Sequence, residues 1–153
     1  MLNSLRKFFR KIRNTLVWLW NQEGTPGERA RGLALGVFSG CFPLFGLQMF
    51  LGVILSNFFK GNRLLAISGT WISNPMTYIP LYWINYRVGC LFLGPFQGVN
   101  SLSQIASIDF WNISLSLLVR VLLGSSTVGT IAGLIVGLIS YFLLKDYQLM
   151  RHR

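Results

Sequence analysis

The chain has 153 residues, enough for one small domain, and its 52% hydrophobic content against 12% charged residues is far from the balance of a soluble globular protein. The formal charge of +10 does not signal a nucleic-acid binder, because Lys and Arg cluster at the chain ends and between apolar blocks, without a recognised module or interleaved stacking aromatics. Four acids, a single histidine in the tail (His152) and two cysteines inside apolar blocks (Cys41, Cys90) leave no material for a metal cluster, a carboxylate dyad, a hydrolytic triad or a disulfide scaffold. The expectation is a non-enzyme without cofactor or metal.

Residues 1–23 come first. Leu5, Phe8, Phe9, Ile12 and Leu16 share one helical face, with Arg6, Lys7, Arg10, Lys11 and Arg13 mostly on the other. This pattern predicts a basic amphipathic helix lying on the anionic cytoplasmic leaflet, with Trp18 and Trp20 at the interface. A signal peptide fits less well: the apolar core after the charges is too short and no small-residue cleavage site follows.

"GTPGE" reads as a helix start near Pro26, with Thr25 as cap and Glu28 placed for a capping box. Three apolar blocks follow, Gly32 to Phe59, Leu64 to Gly94 and Leu115 to Leu144, each longer than the roughly 20 residues that cross a bilayer. In the first, Gly32, Gly36 and Gly40 recur every fourth residue; in the last, Gly129, Gly133 and Gly137 do the same. Such ladders let helices approach closely, and these two are expected to pack on each other or on a second copy of the chain.

The first block is interrupted by Pro43 and Gly46 in "CFPLFGLQ". Basic residues flank it on both sides, Arg29 and Arg31 before, Lys60 and Arg63 after. Cytoplasmic flanks would make it a re-entrant hairpin; one kinked crossing is the alternative. The second block is interrupted at Pro75 and Pro80 in "GTWISNPMTYIP". The stretch Val99 to Asn112 has no Lys or Arg and belongs on the opposite side, whereas Lys145, Arg151 and Arg153 return the basic tail, residues 149–153, to the cytoplasm. The predicted fold is therefore an all-α integral membrane protein: an amphipathic interfacial helix, then interrupted or re-entrant and transmembrane helices packed through glycine ladders, with at least two full crossings plus a hairpin.

Unsatisfied backbone in hydrocarbon costs several kcal/mol per group, so the two breaks are expected to meet in a sheltered interior. Gln48 from the first and Thr70, Ser73, Asn74 and Thr77 from the second supply the polar groups of a candidate ligand pocket. Arg87 lies in the apolar run that follows. A phosphate or carboxylate ligand, freed carbonyls, or snorkelling to the outer face would each satisfy it. Arg120, near the start of the last block, is expected to snorkel, and Trp71, Tyr78, Tyr82, Trp83 and Tyr86 read as interfacial anchors before they read as a substrate cage.

"GTPGERARGLALGVFSGCFPLFGLQ" followed by "NRLLAISGTWISNPMTYIPLYWINYRVG" resembles the DUF2062 family of small bacterial membrane proteins. The resemblance spans a membrane domain over residues 24–148, and Arg31 departs from it where an apolar residue is usual. It implies insertion in the bacterial inner membrane, or an internal one, without supplying an activity. Domains of this kind also resemble ones fused to glycosyltransferases, which implies envelope or lipid-linked sugar metabolism. Two functions are carried forward: binding or translocation of a small polar solute, anion or lipid headgroup at the breaks, and a membrane scaffold or assembly factor packed against a larger complex. The partners expected are anionic lipid headgroups and a second copy or another membrane protein.

Overall fold

The computed structural model of the protein describes residues 22–44, 46–95 and 110–151. The amphipathic segment with Arg6, Lys7, Arg10, Lys11 and Arg13 lies outside these residues, as do most of the stretch 99–112 and the last two residues of the tail. The described elements are helices α1 (Pro26–Gly40), α2 (Leu47–Phe58), α3 (Arg63–Gly69) with a 3-10 turn Thr70–Ile72, α4 (Tyr78–Leu93) and α5 (Phe110–Arg151). No strand occurs among the described residues.

Helix α1 begins as its sequence predicts. The Thr25 hydroxyl accepts from Glu28 N at 3.2 Å, and the Glu28 carboxylate accepts from Thr25 N at 2.8 Å, with Pro26 at the first helical position. After Cys41 the chain turns through Gly46, whose φ of +79° suits glycine, into α2. Helix α2 runs back along α1: Gly52 lies against Ser39, Gly61 against Gly32, and Asn62 N donates to Glu28 O at 2.8 Å. A single kinked rod would have separated Glu28 from Asn62 by the length of both helices. The two therefore form a helical hairpin, and the kinked alternative fails.

Asn62 also starts α3, its side chain accepting from Leu65 N at 3.0 Å and donating to Glu23 O at 2.9 Å. Helix α3 runs parallel to α1, and here the first glycine ladder finds its partner. A Cβ on Gly32, Gly36 or Gly40 would overlap Asn62, Ala66 or the Thr70–Ile72 turn respectively. The second ladder meets the opposite side of α1, with Gly129, Gly133 and Gly137 against Phe38, Ala34 and Ala30. The two ladders thus do not pack on each other. Positions 30, 34 and 38 are offset by two residues from 32, 36 and 40, about 200° around the helix, so α1 is smooth on two faces and is held between α3 and α5.

Helix α4 packs farther along α5. Gly124 lies against the Asn85 backbone and Gly89 against that of Arg120, so close that a Cβ at either glycine would overlap main chain. Moving down α5 from residue 137 to 120, the neighbours run 30, 34, 38, 85, 89, then 93 and 94. Helices α1 and α4 therefore stand in series, both antiparallel to α5, and the first break falls where one hands over to the other.

Among the described residues one stretch of 33 residues, Leu115–Tyr147, is long and apolar enough to cross a bilayer, its most apolar 18-residue window having a mean hydropathy of 2.1. Helix α2 is apolar but has 12 residues. The expected second full crossing is not a continuous helix: its block is divided into α3, the 3-10 turn and the 16-residue α4. Pro80 is no break at all. It sits in the first turn of α4, where a missing N–H is tolerated.

The interior is small and mixed, with Ala30, Val37, Cys41, Leu65, Ala66 and Leu144 buried beside a comparable set of polar side chains. Fully or nearly fully buried residues include Ser39, Gln48, Ser56, Thr70, Ser73, Asn85, Ser125 and Ser140, while Phe58, Ile79, Leu91 and Leu134 lie on the outside. Asn85 is the largest fully buried side chain among the described residues, at 0% exposure. The share of buried polar side chains and of exposed large apolar ones departs from that of a water-soluble core.

Candidate functional site

The two breaks meet, and each is satisfied differently. Between α1 and α2 the chain leaves helical hydrogen bonding at Cys41 and Phe42, and their carbonyls turn to α4. Asn85 Nδ2 donates to Cys41 O at 2.8 Å and to Ser125 Oγ at 2.9 Å, joining three helices at one amide. The Tyr82 hydroxyl donates to Phe42 O at 3.4 Å. Gln48, in the first turn of α2, accepts through Oε1 from Ser73 Oγ at 2.9 Å, and that bond links the two interruptions.

The second break closes on itself. Asn74 Oδ1 accepts from Met76 N at 2.9 Å and Thr77 N at 3.1 Å, while Thr77 Oγ1 accepts from Asn74 N at 2.8 Å and donates to Ile72 O at 2.7 Å. Pro75 disfavours helical geometry at Asn74, and the reciprocal side-chain bonds hold the resulting turn. Thr70 Oγ1 donates to Ile67 O at 2.6 Å within its own turn. Of the sequence-selected residues, Gln48 and Ser73 are thus brought together, Asn74 and Thr77 pair with each other, and Thr70 bonds locally.

Arg87 is elsewhere. It is exposed, with its guanidinium 5.9 Å from the Trp83 ring centroid, and it does not join Gln48 or Asn74. Asn85, two positions earlier and on the opposite side of α4, is the residue that enters the interior. Its signal in the sequence was an amide inside an apolar run, four residues before Gly89; Ser125 beside Gly124 was its counterpart. Asn85 Oδ1 is buried and has no hydrogen-bond partner. Flipping the amide would turn an oxygen on Cys41 O, so the orientation with Nδ2 toward that carbonyl is fixed by chemistry.

Arg120 does not snorkel free. Its Nε donates to Gly94 O at 3.2 Å, Nη2 to Leu93 O at 3.4 Å and Nη1 to Ser116, so it caps the carbonyl end of α4 with a positive charge, where the helix dipole favours one. Trp71 and Trp83 point outward at 71% and 60% exposure. Tyr78 and Tyr82 stack with centroids 5.6 Å apart, and the Tyr82 hydroxyl reaches into the first break.

A helical chain with polar residues turned inward, its breaks closed by its own side chains, is the class defined by this geometry. The chain belongs to the DUF2062 family, described as an uncharacterized protein conserved in bacteria, whose model matches residues 9–153. No curated protein and no solved structure matches it significantly.

Proposed function

We propose that the protein is a non-catalytic integral membrane scaffold. One observation carries the reading: polar side chains share the interior with small apolar ones and, apart from Asn85 Oδ1, bond to the protein's own groups, while many large apolar side chains face outward. In water this arrangement would expose far more apolar surface than a soluble monomer tolerates; in lipid it is the favourable one. Helix α5 crosses the bilayer. The span from Lys145 to Arg120 is about 37 Å at 1.5 Å per residue, enough for a hydrocarbon layer of about 30 Å with charged residues at both edges. The α1–α2 hairpin enters from the cytoplasmic side and returns, a reading supported by Arg29, Arg31, Lys60 and Arg63 gathering at its open end. Because both glycine ladders pack against helices of the same chain, a partner meets the outward Leu and Ile side chains of α5, among them Ile131, Ile135 and Ile139.

The test has two parts. Alkaline carbonate extraction of membranes is expected to leave the protein in the pellet, and release into the supernatant would refute insertion. A photo-crosslinking residue at Ile135 is expected to capture one defined membrane protein or a second copy; adducts with lipid alone would refute the scaffold.

A second reading, binding of a small polar solute, anion or headgroup at the breaks, has one observation in its favour: the orphaned Asn85 Oδ1. On that reading native mass spectrometry retains a polar molecule that Asn85→Leu loses. A wild-type spectrum without such a molecule would dismiss it.

A further inference from the structure

Helices α1 and α5 leave a groove of about 280 Å³ between them on the outer surface. Its floor and walls are Ala30, Ala34, Gly133, Leu134, Gly137 and Leu138, with no polar side chain among them. Gly27, Arg31 and Tyr141 line its remaining part, nearest the start of α1. We propose that this groove binds one molecule of an anionic phospholipid, with an acyl chain along the small-residue floor and the phosphate at Arg31. The site is distinct from the breaks and rests on the membrane reading above.

The charge arrangement selects the occupant. Arg31 uses Nη2 to hold Lys60 O at 3.1 Å, while Nη1 lies toward Gly27, 3.5 Å from where a Cβ there would stand. The remaining guanidinium donors are the planar fork that suits a phosphate. Lys145 lies four residues beyond Tyr141 on α5, hence on the groove side one turn farther out, while the Glu28 carboxylate in the first turn of α1 is engaged by Thr25 N. Cation above and hydrocarbon below is the order of an anionic lipid read from headgroup to tail. An apolar transmembrane helix from another protein would set its side chains against a charged guanidinium at the same place.

The test is native mass spectrometry of the full chain purified in detergent and incubated with equal amounts of dioleoyl phosphatidylglycerol and dioleoyl phosphatidylcholine. The wild type is expected to retain one phosphatidylglycerol in preference to phosphatidylcholine. Arg31→Gln should lower that preference about fivefold, the share of one cation at an anionic surface. Gly27→Leu has room for its Cβ, since nothing approaches the position closer than 3.5 Å, and should block both lipids by filling the groove. Equal retention of the two lipids by the wild type, an unchanged Arg31→Gln spectrum, or a dimer that Gly27→Leu dissociates would overturn the proposal. Carbonate extraction of the same proteins separates the two failures: a pelleted wild type without bound lipid refutes the groove alone, a soluble one the membrane reading itself.

Discussion

The two interruptions solve one problem in opposite ways. At Cys41–Gly46 the Cys41 carbonyl is answered from α4 by Asn85, some forty residues away, and Phe42 O accepts from Tyr82 as well as from Leu44 N nearby. At Ser73–Thr77 the turn itself is held within five residues, by the Asn74–Thr77 pair, and the Ser73 side chain alone reaches out, to Gln48. The Cys41 carbonyl is therefore satisfied only when α1, α4 and α5 are assembled. The second break is a turn that the local sequence can form by itself. Interactions between helices should consequently dominate stability at the first site and local turn propensity at the second.

The largest effect that sharpens this contrast is at the seam bringing Asn85 to its partners. Gly124→Leu forces a side chain into the Asn85 backbone and is expected to cost about 3 kcal/mol or more, seen as loss of monodisperse protein in detergent. Asn85→Leu removes both donors and strands Cys41 O, with an expected cost of about 2 kcal/mol in thermal unfolding followed by circular dichroism. Asn74→Ala should cost about 1 kcal/mol, and Asn74→Asp, which keeps the acceptor for Met76 N and Thr77 N, should recover most of it. Arg87→Gln should change stability by less than about 0.5 kcal/mol, because the guanidinium lies exposed over Trp83. An Asn74→Ala loss equal to that of Asn85→Leu would break the distinction between a local and an assembled break.

The same division governs what could be read in advance. The capping box at Thr25–Glu28, the interruption at Pro43 and Gly46, and the turn at Asn74–Pro75 were legible because each rests on residues within a few positions of one another. Pro80 was misread for want of a helix boundary: two residues into α4, its missing N–H is one the helix would leave unbonded anyway. Arg87 drew attention as a charge in an apolar run, yet Asn85 occupies the interior, since a two-residue step rotates a helical side chain about 200° and only packing decides which face turns inward.

From sequence alone came the helical character, the apolar blocks, the places where helices stop and the presence of close-packing ladders; each follows from local sterics, hydropathy or spacing. Tertiary structure alone decided that the ladders lie on opposite sides of α1, that α1 and α4 stand end to end along α5, and that Asn85 and Arg120 serve carbonyls on neighbouring segments. Glycine spacing announces a smooth face but not the identity of the helix that will use it. A freed carbonyl likewise needs a donor without naming one. Those choices belong to how the helices are arranged in space.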